Sequence, residues 1–104
     1  MKLVWTNRAK QDLIQIGRFI ARDKPGAARK WIEKLRKRAR KTVDMPLLGR
    51  KVPEFNRDDI REVFLANYPI VYLVSDHEIA VLTIYEGHRQ LKQEMASLEP
   101  KRRP

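Results

Sequence analysis

No cysteine occurs in these 104 residues. That excludes a disulfide framework and any thiol or Cys-based zinc chemistry, and it fits a reducing compartment. No apolar run approaches the about 20 residues needed to cross a bilayer. The start, Met1-Lys2-Leu3-Val4-Trp5, meets a charged segment too soon to form a signal-peptide core. A cytoplasmic protein without membrane contact is expected. Acidic residues are scarce: 13 Asp and Glu face 23 Lys and Arg, giving a net charge of +10 and a pI of about 10.3. Such an imbalance points to an anionic partner, either nucleic acid, an acidic protein segment or a membrane surface. The plainer reading is a solvated basic surface.

What is present reads as one small domain over residues 1–98, followed by a basic disordered tail, residues 99–104. Leu3-Val4-Trp5 is short and β-prone. Thr6 or Asn7 can then cap a helix, because a side-chain oxygen there accepts from a free first-turn N–H. Between Arg8 and Arg22, Ala9, Leu13, Ile16, Gly17 and Ile20 share one helical face, with Ile14 and Phe19 at its flanks. The stretch "RDKPG" ends that helix, and Pro25 suits the first turn of the next. Ala28, Trp31, Ile32, Leu35 and Ala39 make a second stripe, so the two helices form an antiparallel hairpin. Trp31 is expected in the contact between them, and Trp5 and Tyr72 in the core of the sheet. The second helix also carries eight Lys and Arg, the densest positive patch in the chain.

Residues 44–59, with Pro46, Gly49 and Pro53, read as a long surface connection. Ile60–Leu65, Ile70–Val74 and Ile79–Tyr85 read as strands, and "SDHE" as the turn joining the last two. The unbroken apolarity of Ile79–Ile84 predicts a strand buried on both faces, or a central one. A short helix is possible over 90–98. The expected fold is α+β, in the order β-α-α-β-β-β, with a helical hairpin packed on a small, mainly antiparallel sheet.

In that order and spacing, four stretches carry a resemblance: "WTNRAKQDLIQIGRFIARDKPGAA", "PLLGRKVPEF", "IREVFLANYPIVYLV" and "VLTIYEGHRQL". From Leu3 to about Leu91 the chain resembles the RelE/ParE superfamily of toxins from type II toxin–antitoxin pairs, and the ParE type in particular. The resemblance implies a toxin that poisons DNA gyrase without catalysis. It also implies a ParD-like antitoxin whose acidic, amphipathic C-terminal arm wraps the toxin in a hetero-oligomer. No cofactor, no metal and no sequence-specific nucleic-acid binding by the toxin alone are implied.

The alternative implied by the superfamily is a RelE-type endoribonuclease acting on mRNA at the ribosome. It would need a base, an acid and cations gathered at one phosphate. Where RelE-type chains place Arg in the Tyr-Arg-x-Val-Tyr strand, this one has Pro69 in Tyr68-Pro69-Ile70-Val71-Tyr72. It also lacks a lysine in Ile60–Phe64 and a Tyr just after Arg89. If the chain is an RNase, Glu54, Arg61, His88 and Arg89 are the candidate catalytic residues. If it docks on a target, Arg61, Tyr85, His88 and Arg89 are the candidate contacts. Plainer readings stand beside these. Arg61 pairs with Glu62 or Glu54, Arg89 pairs with Glu62 or Glu86, His88 is a surface residue, and Tyr85 belongs to the core.

Overall fold

The computed structural model describes residues 1–86. Its elements are β1 (Lys2–Trp5), α1 (Asn7–Asp23), α2 (Pro25–Asp44), β2 (Arg50–Lys51), β3 (Ile60–Leu65), β4 (Tyr68–Val74) and β5 (Glu78–Ile84). They make an α+β fold with strand order β1-β5-β4-β3-β2. Only the β1–β5 pair is parallel. The remaining pairs are antiparallel, as expected. Residues 90–98 and the tail, expected as a helix and a disordered segment, lie outside the described residues.

Local chemistry accounts for the elements. Thr6 is the N-cap of α1, and its hydroxyl accepts from the Ala9 N–H at 3.1 Å. The same hydroxyl donates to the Val81 carbonyl at 2.8 Å, tying the helix start to β5. Pro25 opens α2 at a position where its missing N–H costs nothing. Ser75 closes the β4–β5 turn, its N–H and hydroxyl each 3.0 Å from the Glu78 carbonyl.

Both faces of the sheet are covered. Ala9, Leu13, Leu35 and Ala39 from the helices meet Val63, Ile70, Tyr72, Ile79, Val81 and Ile84 in the larger core. On the other face, Val52, Ile60, Val71, Leu82 and Tyr85 form a second, smaller cluster, flanked by Phe55. This is why β5 reads as continuously apolar: Ile79 and Val81 serve one face, and Leu82 the other.

Two expectations about packing change. The connection over 44–59 is not merely a surface wrap. It contributes β2 and the fully buried Val52. Trp31, expected in the helix–helix contact, also reaches the sheet. It is half-buried and tilted at 59° against Tyr68, with ring centroids 6.0 Å apart. Ile32, one residue on, takes the α1 side.

Candidate functional site

Between the two helices and the end of β1 runs an open groove of about 440 Å³, lined by Trp5, Lys10, Leu13, Ile14, Gly17, Ile32 and Arg36. Gly17 lies on its floor, where a Cβ would make an ordinary contact with Ile32 Cδ1 at 3.5 Å. Ile14 stands on its wall, 47% exposed. The two charged residues of the lining, Lys10 and Arg36, are both cations. The groove adjoins β1, an edge strand of the sheet. Exposed aliphatic surface, cations and a strand edge together suit an amphipathic acidic segment. Apolar anchors would supply affinity and charge would speed encounter.

The opposite face holds a polar cluster around a buried carboxylate. Glu62 is 3% exposed, and Arg50 Nε lies 2.9 Å from its Oε2. The same guanidinium sits 5.4 Å over the Phe64 ring. Tyr85 shares this face. Burial pushes its phenol well above the usual tyrosine range, and the Glu62 and Glu54 carboxylates push it further.

Of the expected site residues, Glu54, Arg61 and Tyr85 lie among those described, and Arg61 is on the other face of the sheet from Tyr85. Tyr85 is only 4% exposed, so it is a core residue rather than the rim of a target surface. Arg61 does not pair with Glu62 or Glu54. Its Nε donates to the Asp58 carbonyl at 3.0 Å and its Nη1 to the Gly49 carbonyl at 2.9 Å. Arg61 pairs across the strands with Tyr72, and Glu62 with Val71, so the two side chains leave opposite faces. Tyr72 belongs to the helix-side core and Val71 to the second cluster that contains Tyr85. Glu54 is exposed beside Val52. His88 and Arg89 lie outside the described residues.

Two features had no place in the sequence reading. One is a brace built on Tyr72. Its hydroxyl accepts from the Gly49 N–H at 2.9 Å and donates to the Pro46 carbonyl at 2.9 Å. A Cβ at Gly49 would lie 2.7 Å from that hydroxyl, so only glycine fits. Arg61 holds the same turn through the Gly49 carbonyl. The run Pro46–Arg50 hints at a turn, but not at its anchor 23 residues downstream.

The other is Asp12, 7% exposed within α1. Its Oδ2 accepts from the Ile84 N–H at 3.2 Å and from the Thr83 hydroxyl, while its Oδ1 lies 3.2 Å from Arg8 Nε. An acid inside the apolar run "QDLIQI" was the available signal. Among the described residues no group of three or more His, Asp or Glu could hold a metal ion. No described helix is long and apolar enough to cross a membrane.

Comparison with known proteins places this geometry. The family model described as the ParE toxin of the type II toxin–antitoxin system, parDE, matches residues 3–91. The chain is 29% identical over 94 residues to a Sinorhizobium fredii protein, the candidate toxin Y4kP, across 88% of this chain and 94% of that one. A solved structure from the chromosomal ParDE toxin–antitoxin system of P. aeruginosa matches with a TM-score of 0.71 at 22% identity. It covers 83% of this chain and 95% of its own, and shows a shared fold.

Proposed function

The chain belongs to the ParE toxin family of type II toxin–antitoxin systems, and on that premise we propose that it is a non-catalytic poison of DNA gyrase. The observation that carries the non-catalytic reading is the state of Arg61. An RNase of this superfamily needs a free cation at the scissile phosphate, with an acid and a base beside it. Here the Nε–H and one Nη1–H of Arg61 are given to backbone carbonyls, on the opposite face from Glu62 and Tyr85. A guanidinium so engaged serves as a brace of the fold, which supports docking over catalysis.

The partner that silences it is a ParD-like antitoxin. Its acidic, amphipathic arm would lie in the groove between α1 and α2, with apolar side chains against Ile14, Gly17 and Ile32 and acids near Lys10 and Arg36. The lining residues and the net charge of +10 support this occupant. The complex would be a hetero-oligomer, because antitoxin dimerisation brings two toxins together. Its home would be the cytoplasm, where gyrase works.

The test pairs two assays. Purified gyrase and plasmid DNA, with the toxin added, should lose supercoiling activity and accumulate trapped double-strand breaks. Primer extension on mRNA from translating ribosomes should show no codon-linked cuts. Codon-linked cuts that vanish in His88→Ala or Glu54→Gln would replace this reading with the endoribonuclease one.

A further inference from the structure

We propose that the outer face of α2 binds the phosphate backbone of duplex DNA without regard to sequence. The proposal deepens the gyrase reading, since gyrase acts on DNA, but it is measured without gyrase, so either can fail alone.

Lys30, Lys34, Lys37 and Lys41 recur at spacings of four, three and four residues, and all four are exposed. That spacing puts them in one stripe, with neighbours about 5–6 Å apart at Cβ. At 1.5 Å per residue the stripe runs roughly 16 Å along the helix. Beside it, Arg38 buries its Nε with no hydrogen-bond partner. Lys34, Lys37, Arg38, Lys41 and Leu65 together line a shallow depression of about 180 Å³ that contains no acid. Lys34 is positioned by Trp31, its ammonium 5.4 Å from the ring centroid, and Trp31 in turn leans on Tyr68.

Glu33, one turn from Lys30 and Lys37, is the acid nearest the stripe, and among the described residues no lysine of the stripe is in an ion pair. The ion pairs Arg8–Asp12, Arg50–Glu62, Lys51–Asp58 and Arg57–Asp59 all lie off α2. Like charges three and four residues apart work against a helix. A row of anions laid along the stripe relieves that repulsion, and phosphates supply such a row. Lysine meets a phosphate as a mobile point charge, which suits contact without fixed register. α2 has no Asn or Gln to pair with adenine, and the stripe is built of lysine point charges, which suit phosphates.

An acidic peptide is the weaker occupant. Peptide arms take their affinity from buried apolar anchors, and Leu65 is the single aliphatic residue here. The anchors' counterpart is the groove on the α1 flank of α2, away from this stripe.

The experiment is fluorescence anisotropy with the full-length protein and two labelled duplexes of unrelated sequence, titrated with salt. Both should bind alike, with log K falling against log salt at a slope of about −4, near 0.9 for each phosphate contact. The triple variant Lys34→Gln, Lys37→Gln, Lys41→Gln should cut that slope by about 2–3 and weaken low-salt affinity at least tenfold. A charge-matched control, Arg18→Gln, Arg22→Gln, Lys24→Gln, should change it far less. Equal losses in the two variants would overturn the proposal, leaving only general attraction to a +10 chain. Unchanged DNA binding in the Lys34/Lys37/Lys41 variant, with lost antitoxin binding, would overturn it in favour of an acidic peptide.

Discussion

Asp12 stands in for a strand that is not there. β1 ends at Trp5, so β5 runs on past its parallel partner toward Ile84. The Ile84 N–H would be left without a ladder acceptor, and one carboxylate oxygen of Asp12 supplies it. An unpaired buried donor costs about 1–3 kcal/mol. Asp12→Ala strands both the Ile84 N–H and the Thr83 hydroxyl. It should lower unfolding stability by about 2–4 kcal/mol, read from urea midpoints; an unchanged midpoint would mean that water replaces the carboxylate freely. Tyr85 makes a second prediction at this scale. Its burial, with Glu62 and Glu54 nearby, raises the folded value above the unfolded one of about 10. The folded chain therefore holds a proton that the unfolded chain releases. The stability it contributes is full below about pH 10 and is lost as pH rises beyond that. Denaturant midpoints should fall on going above about pH 10, and Tyr85→Phe should flatten the fall. An identical alkaline profile in the variant would place the titration elsewhere.

At the scale of elements, the β2 turn is the least self-sufficient part of the fold. Two exposed residues, Arg50 and Lys51, have no apolar alternation to hold them in a sheet. They stay because Tyr72 from β4 and Arg61 from β3 seize the turn before them. Tyr72→Phe removes one acceptor and one donor inside the core. It should cost about 1–3 kcal/mol and speed amide exchange at Gly49 and Arg50 while leaving α1 protected. Uniform loss of protection would mean that β2 folds with the whole. The same contrast explains what the sequence allowed one to read. Both helices and the three long strands announce themselves through period: Leu13 and Ile16, Leu35 and Ala39, Ile70 to Val74. β2 has no period, and its cause lies 23 residues away in Tyr72. The contact of Trp31 with Tyr68 was not legible, because a single stripe cannot say which edge meets a second helix and which meets the sheet. Arg61 was legible as a cation but not as a brace, since backbone carbonyls leave no trace in residue types. The absence of Arg at Pro69 was legible at once, and it still argues against a phosphate cradle on β4.

Across the whole molecule, chemistry is divided by face. The α1–α2 groove is apolar with a cationic rim, and the outer side of α2 is cationic alone. The far side of the sheet closes around Glu62, Arg50 and Tyr85. A catalyst would bring accessible acid, base and cation to one point; Glu62 and Tyr85 do share the far face with Arg50, but both are buried, at 3% and 4% exposure, and Arg61 lies on the other face. The account therefore predicts a protein consumed in its action, one toxin for each target site. The most direct measurement is a titration of a fixed amount of purified gyrase with increasing toxin, read as supercoiling rate, followed by addition of antitoxin. The predicted result is a loss of activity linear in toxin, reaching its plateau near one toxin per gyrase site and reversed when antitoxin is added. Full gyrase activity at toxin excess, together with many mRNA molecules cut per toxin on ribosomes, would contradict it.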